Sequence, residues 1–127
     1  MPRTARLFLA IGSIAALLAV GLGAFGAHGL KARIAPELMP VYKTAVEYHF
    51  YHALGLILAG LAAMHLPESV YLLRAGWAML AGIVLFSGSL YLLALTGSTW
   101  LGMITPLGGL AFIAAWGLFA TAAIKAR

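Results

Sequence analysis

Four apolar blocks, at 7–30, 46–66, 76–95 and 107–124, leave little of the chain outside them. Each can supply the roughly 20 residues that an α-helix needs to cross about 30 Å of hydrocarbon. In lipid every backbone polar group must find a partner without water, so only helices and closed barrels span it. Long continuous apolar runs select the helix, because a barrel strand would alternate polar and apolar residues. The expected fold is all-α, an integral membrane four-helix bundle forming a single transmembrane domain over 1–127. Composition points the same way: the chain is 64% hydrophobic and 9% charged, with a mean hydropathy of +1.03, far from a soluble domain.

The net charge of +5 could suggest nucleic acid, but the cations flank the apolar blocks and do not gather in one patch. With the N-terminus inside, Arg3, Arg6, Arg74, Lys125 and Arg127 share the cytoplasmic side, and Lys31, Arg33 and Lys43 lie outside. The positive-inside rule therefore predicts a multi-pass protein with both termini cytoplasmic and the bilayer, not nucleic acid, as its surroundings. The first block has the outline of a secretory signal, with Ala24-Phe25-Gly26 resembling a cleavage site, yet its length favours a retained helix. Cysteine, Asp, Asn and Gln are absent, which excludes disulfides, thiolate nucleophiles and cysteine-held metals. The carboxylate side chains are Glu37, Glu47 and Glu68 alone, far apart in sequence, which leaves acid-pair catalysis without a local motif.

Between the first two blocks, Ile34, Leu38, Val41, Tyr42, Ala45 and Val46 fall on one helical face. This predicts a short interfacial amphipathic helix over 34–45, with Pro36 in its first turn and Pro40 weakening it. Small residues suggest how the bundle holds together, since burial drives little once helices are already in lipid. Ala15, Ala19, Gly23 and Ala27 form a four-residue ridge on the first helix, and Gly55, Ala59 and Ala63 one on the second. Ala78 with Gly82, and Gly109 with Gly117, give shorter patches on the third and fourth. Such ridges can pack within a chain or between chains.

The polar opening of the second block, EYHFYHALGL from Glu47, carries the densest chemistry in the sequence. As helix it puts His49 beside His52, Tyr48 on the face of His52, and Tyr51 on the face of Glu47. Two imidazoles three residues apart can share a metal, His28 could add a third nitrogen, and Glu47 could orient the ligands. The plainer alternatives are an interfacial belt of Tyr and His and a hydrogen-bonded cluster of His28, Glu47 and His52 that locks the first two helices. Deep in the third helix the polar groups are Ser87, Ser89 and Tyr91, without an acid or base beside them, so neither a proton relay nor a serine nucleophile is expected. The glycine-rich GLGAFGAHG lacks a preceding strand and a following Lys-Ser or Lys-Thr, which leaves packing as the reason for its glycines.

Four segments in order, GAFGAHGLKAR from Gly23, TAVEYHFYHALGL from Thr44, LFSGSLYLLALTG from Leu85 and ITPLGGLAFIAAW from Ile104, closely resemble the small bacterial inner-membrane family known as domain of unknown function 423, related to mitochondrial transmembrane protein 256. The resemblance implies a four-helix protein of the cell inner membrane. It carries over His28, Tyr51, His52, Ser87, Gly88, Ser89, Pro106, Gly108 and Gly109 as motif residues, and no established activity. His49 lies outside the motif core, which weakens the three-histidine site. The expectation is a non-enzymatic, cofactor-free packing protein that forms a homo-oligomer or joins a larger membrane complex. A carrier or channel for a small solute, ion or lipid, and a histidine-ligated metal or haem subunit, stand as alternatives.

Overall fold

In the computed structural model, which describes residues 1–127, four long helices are arranged antiparallel in chain order, with no strands. Helix α1, Arg3–Phe25, continues through a π-helical stretch, Gly26–Leu30. Helix α2 is Met39–Ala63. The third long helix is built from α3, Val70–Gly82, a π-helical stretch, Ile83–Ser87, and α4, Gly88–Thr96. Helix α5, Thr105–Ile124, completes the bundle.

The helix ends follow local chemistry. Ser69 caps α3 by accepting from the Leu72 N–H at 3.2 Å, which starts the helix before the expected residue 76. Gly97 closes α4 in the left-handed region, at φ 72°, where a side chain would be strained. Pro36 opens a single 3₁₀ turn, Pro36–Leu38, and Pro40 falls in the first turn of α2, where its missing N–H costs no bond. No separate helix runs over 34–45; residues 39–45, expected to lie along the interface, are instead the first turns of α2. Their apolar face is covered by protein: Tyr42 packs with Leu30, Ile34 and Ala94 in a small outer cluster.

Three long helical segments, Arg3–Leu30, Val70–Thr96 and Thr99–Ile124, are each long and apolar enough to cross a membrane. Helix α2 has the length, at 25 residues, but carries Lys43, Glu47, His49 and His52. Its neighbours cover the two histidines, while Lys43 and Glu47 stay exposed. The residues buried on α2 include Tyr42, Ala45, His49, His52, Leu56, Ala59 and Ala63, an alternation of threes and fours that keeps one seam turned inward. Helix α1 answers with Ala5, Phe8, Gly12, Ala15 and Ala19. The two backbones nearly touch: a methyl group at Gly12 would lie 2.9 Å from the Ala53 carbonyl oxygen and the Ile57 nitrogen, and one at Gly60 2.9 Å from the Leu9 nitrogen.

Of the expected packing residues, Ala15, Ala19, Gly55, Ala59 and Gly108 are buried within the chain, Gly23 and Gly109 are half-buried, and Ala27 and Gly117 are exposed. The larger apolar core joins Phe8, Leu56, Leu72, Met79 and Phe112 toward the end that holds both termini. There Phe8 meets Trp77 edge-on at 5.7 Å and Lys125 sits 5.9 Å over the Tyr71 ring.

Candidate functional site: a polar layer between two cores

His49, His52, Ser87 and Ser89 are the buried polar side chains of the bundle, and they lie between the larger core and the outer cluster around Tyr42. Because α2 begins at Met39, His52 is thirteen residues along it, about 20 Å at 1.5 Å per residue. That is the middle of the helix and not its first turn. At this depth an unpaired polar group is costly, and the structure gives each ring a partner on another helix.

His52 uses both nitrogens. Its Nδ1 lies 2.7 Å from the Tyr48 carbonyl, which can only accept, so the proton is on Nδ1; its Nε2 then accepts from the Trp116 indole N–H at 3.0 Å. The ring lies flat on Phe112, centroids 3.5 Å apart and planes 10° from parallel. One histidine thus ties α2 to two successive turns of α5. His49 points elsewhere, its Nδ1 2.8 Å from the Tyr91 hydroxyl on α4. Tyr91 also stands edge-on to Tyr42 at 5.5 Å, and the Tyr42 hydroxyl donates to the Leu22 carbonyl of α1. A chain of contacts therefore runs from α4 through α2 to α1.

The serines divide similarly. Ser89 Oγ donates to the Phe86 carbonyl at 2.9 Å, so Thr105 is the donor in the 2.6 Å contact between the two hydroxyls, which joins α4 to the start of α5. Ser87, in the π-helical stretch, is fully buried and its Oγ has no partner. Removing an unsatisfied hydroxyl releases a desolvation penalty. Ser87→Ala should therefore leave stability unchanged or raise it by up to about 1 kcal/mol, whereas Ser89→Ala, which strands Thr105, should lower it by about 1 kcal/mol. Thermal unfolding of the two variants in detergent compares them directly; an equal loss in both would show that Ser87 does have a partner.

The expected cluster of His28, Glu47, Tyr51 and His52 is spread over the surface and interior. His28 is exposed at the end of the α1 segment, Glu47 and Tyr51 are exposed on the outer face of α2, and only His52 is buried. Neither His28 nor Glu47 is a hydrogen-bond partner of His52. No three His, Asp or Glu side chains come close enough to share a metal, so the three-histidine set does not assemble. Sequence analysis missed Trp116, Thr105, Tyr42, Gly12 and Gly60 as partners. A signal existed for Trp116, which closes the ITPLGGLAFIAAW segment and brings an N–H donor, but nothing in the sequence assigns that donor to His52. No nucleophile stands beside a free base in this layer. What the arrangement does chemically is hold three interhelical junctions at fixed geometry.

A family model described as "Protein of unknown function (DUF423)" matches residues 22–109, which contain the whole polar layer except Phe112 and Trp116. The chain is similar to the UPF0382 membrane protein YwdK of Bacillus subtilis, 53% identical over 120 residues that cover 94% of this chain and 98% of that one. It is also similar to the UPF0382 membrane protein SH2409 of Staphylococcus haemolyticus, 48% identical over 111 residues, 87% of this chain and 89% of that one. No solved structure matches.

Proposed function

We propose, since the chain belongs to the DUF423 family and its relatives are named membrane proteins, that it is a non-enzymatic integral membrane protein that acts by association, with further copies of itself or with a larger membrane complex. The observation that carries this reading is the pairing of the buried polar layer, in which every member but Ser87 has a hydrogen-bond partner. Both nitrogens of His52 are engaged, His49 is bonded to Tyr91, and Ser89 is bonded to Phe86 and Thr105. Groups paired in this way set the angles and register of helices. Activity then falls to the outer surface. Native mass spectrometry of the chain extracted from its own membranes in a mild detergent tests this. Masses at whole multiples of the 13.3 kDa chain, or with a second protein, are expected; a bare monomer, or one carrying only metal or haem, overturns it.

A carrier of lipid or another apolar molecule is the second reading, favoured by one observation. Helices α1 and α3 meet at Phe8 and Gly76 but part further along, leaving an apolar groove of about 440 Å³ lined by Ile11, Leu18, Leu80 and Val84, with His49 and Tyr91 at its edge. Flux into sealed vesicles containing this protein alone would favour it over the assembly reading.

A further inference from the structure

The end of the bundle that holds both termini exposes Arg3, Arg6, Arg74, Lys125 and Arg127, with Glu68 as its acidic side chain. Glu68 lies with Lys125 and Arg127 around a hollow on the α3–α5 side. Arg74 stands one turn ahead of Trp77, whose ring meets Phe8 of α1 edge-on at 5.7 Å. Arg3 precedes Phe8 by five residues and Arg74 precedes Trp77 by three, so on these parallel helices the two arginines share a level to within about one turn. Arg3 is also eleven residues, about three turns, before Ile14, and so on the same face of α1. Ile14 lines the apolar groove of about 440 Å³ between α1 and the third long helix, which extends from Leu80 to Tyr91. That stretch is about 16 Å long, close to half of a hydrocarbon core about 30 Å thick. Both helical segments are long and apolar enough to cross a membrane, and Ile14, Leu18 and Val84 are exposed along them. The polar side chains in the lining are His49 and Tyr91, which bond to each other at 2.8 Å.

We infer that this groove holds one anionic glycerophospholipid, with its phosphate between Arg3 and Arg74 and an acyl chain along Ile14, Leu18, Leu80 and Val84. The site takes the groove of the carrier reading without requiring transport, and goes beyond the association reading because it needs no second protein. Charge complementarity selects the headgroup: guanidinium forks bind phosphate oxygens in pairs, and basic positions at the end of a span favour anionic lipid. A zwitterionic lipid brings its own ammonium to compensate the phosphate, and an uncharged one gains nothing from the arginines. Leu80 lies about 9 Å beyond Arg74 along the helix, which leaves an interval for the glycerol and ester groups. Trp77, exposed within that interval, brings an indole N–H donor to the ester level. Phe8 closes α1 against Gly76 there, so the chain enters the groove from the lipid side and not through the bundle.

Lipid-depleted protein in mild detergent, titrated with phosphatidylglycerol, phosphatidylcholine or diacylglycerol of matched chains, forms the test, with bound lipid counted by native mass spectrometry. Wild type should retain one phosphatidylglycerol per chain and hold the other two more weakly by roughly tenfold or more. Arg3→Gln and Arg74→Gln should each weaken phosphatidylglycerol by roughly fivefold, and the double variant should bring it to the level of phosphatidylcholine. Arg127→Gln removes a charge from the same end on the α3–α5 side and should change nothing. Val84→Trp keeps both arginines but fills the groove from an exposed position, and should abolish retention of the single lipid. Circular dichroism checks that each variant keeps its helices. Equal retention of all three lipids by wild type, or undiminished phosphatidylglycerol in the double arginine variant or in Val84→Trp, overturns the site. So does a wild type that holds no lipid, or one that carries a protein which Val84→Trp releases. Oligomer mass and vesicle flux are separate readouts, so the association and carrier readings stand or fall independently of lipid retention.

Discussion

Gly108→Ala should lower stability by about 3 kcal/mol, at the top of the range for overpacking, while Gly109→Ala, one residue on, should change it by less than about 0.5 kcal/mol. The two glycines sit side by side in the TPLGG segment, but their surroundings differ. A methyl group at Gly108 would lie 2.7 Å from the Phe86 Cα and closer still to the Phe86 nitrogen, so the obstacle is backbone and cannot rotate away. At Gly109 the nearest such contact is the Phe86 ring at an ordinary 3.9 Å. Phe86 belongs to the π-helical stretch Ile83–Ser87, and a π bulge displaces the backbone of one turn. Gly108 is the position on α5 that accommodates that turn. Forcing the two apart would also pull Thr105 from Ser89, which are 2.6 Å apart. Gly117→Ala is the control within the same helix: nothing lies within 4 Å, so it should be neutral or gain up to about 1 kcal/mol from helix propensity. Detergent-resistant folding, followed by tryptophan fluorescence against rising sodium dodecyl sulfate, ranks the three. Equal losses at 108 and 109 would show that α5 does not rest on the Phe86 backbone.

The helices themselves are legible from hydropathy, because backbone satisfaction in lipid allows few alternatives. Which face of each helix turns inward is only partly so. The expected ridge at Ala15, Ala19, Gly23 and Ala27 steps by four, and four residues of an α-helix overshoot a full turn by about 40°. Over three such steps the ridge rotates about a third of the way round the helix, which is why Ala15 and Ala19 are buried, Gly23 half-buried and Ala27 exposed. The seam that stays inward alternates threes and fours, through Ala5, Phe8, Gly12, Ala15 and Ala19, and that alternation singles out Gly12. The same count places His49 and His52 on consecutive seam positions of α2. Their depth is hidden for another reason: residues 39–45 look amphipathic and so suggest the interface, although their apolar face packs on Leu30, Ile34 and Ala94. Sequence periodicity shows that a face is buried but not whether lipid or protein covers it. The partners Trp116 and Tyr91 lie 64 and 42 residues from their histidines, a separation that no local pattern reports.

Helix geometry held by His52 makes a second large effect the expected one: His52→Ala should destabilise the bundle by about 2–3 kcal/mol. Two losses combine. The imidazole stacks on Phe112 with centroids 3.5 Å apart, and deleting a buried ring forfeits its dispersion contacts, since the void left behind offers no replacement atoms. The Trp116 N–H also loses its acceptor, and interhelical hydrogen bonds in membranes are worth about 0.6 kcal/mol on average, reaching about 1.7. The transfer term that dominates in water is absent here, because lipid is as apolar as the core, which keeps the loss below the soluble-protein range for removing an aromatic ring. His52→Phe separates the two terms by keeping a ring against Phe112 and removing the acceptor, so it should lose only the smaller share. A double-mutant cycle of His52→Phe with Trp116→Phe isolates the bond itself. Coupling between about 0.6 and 1.7 kcal/mol is expected. Additive losses would mean that Trp116 finds another acceptor when His52 is gone, leaving stacking on Phe112 as the contact that fastens α2 to α5.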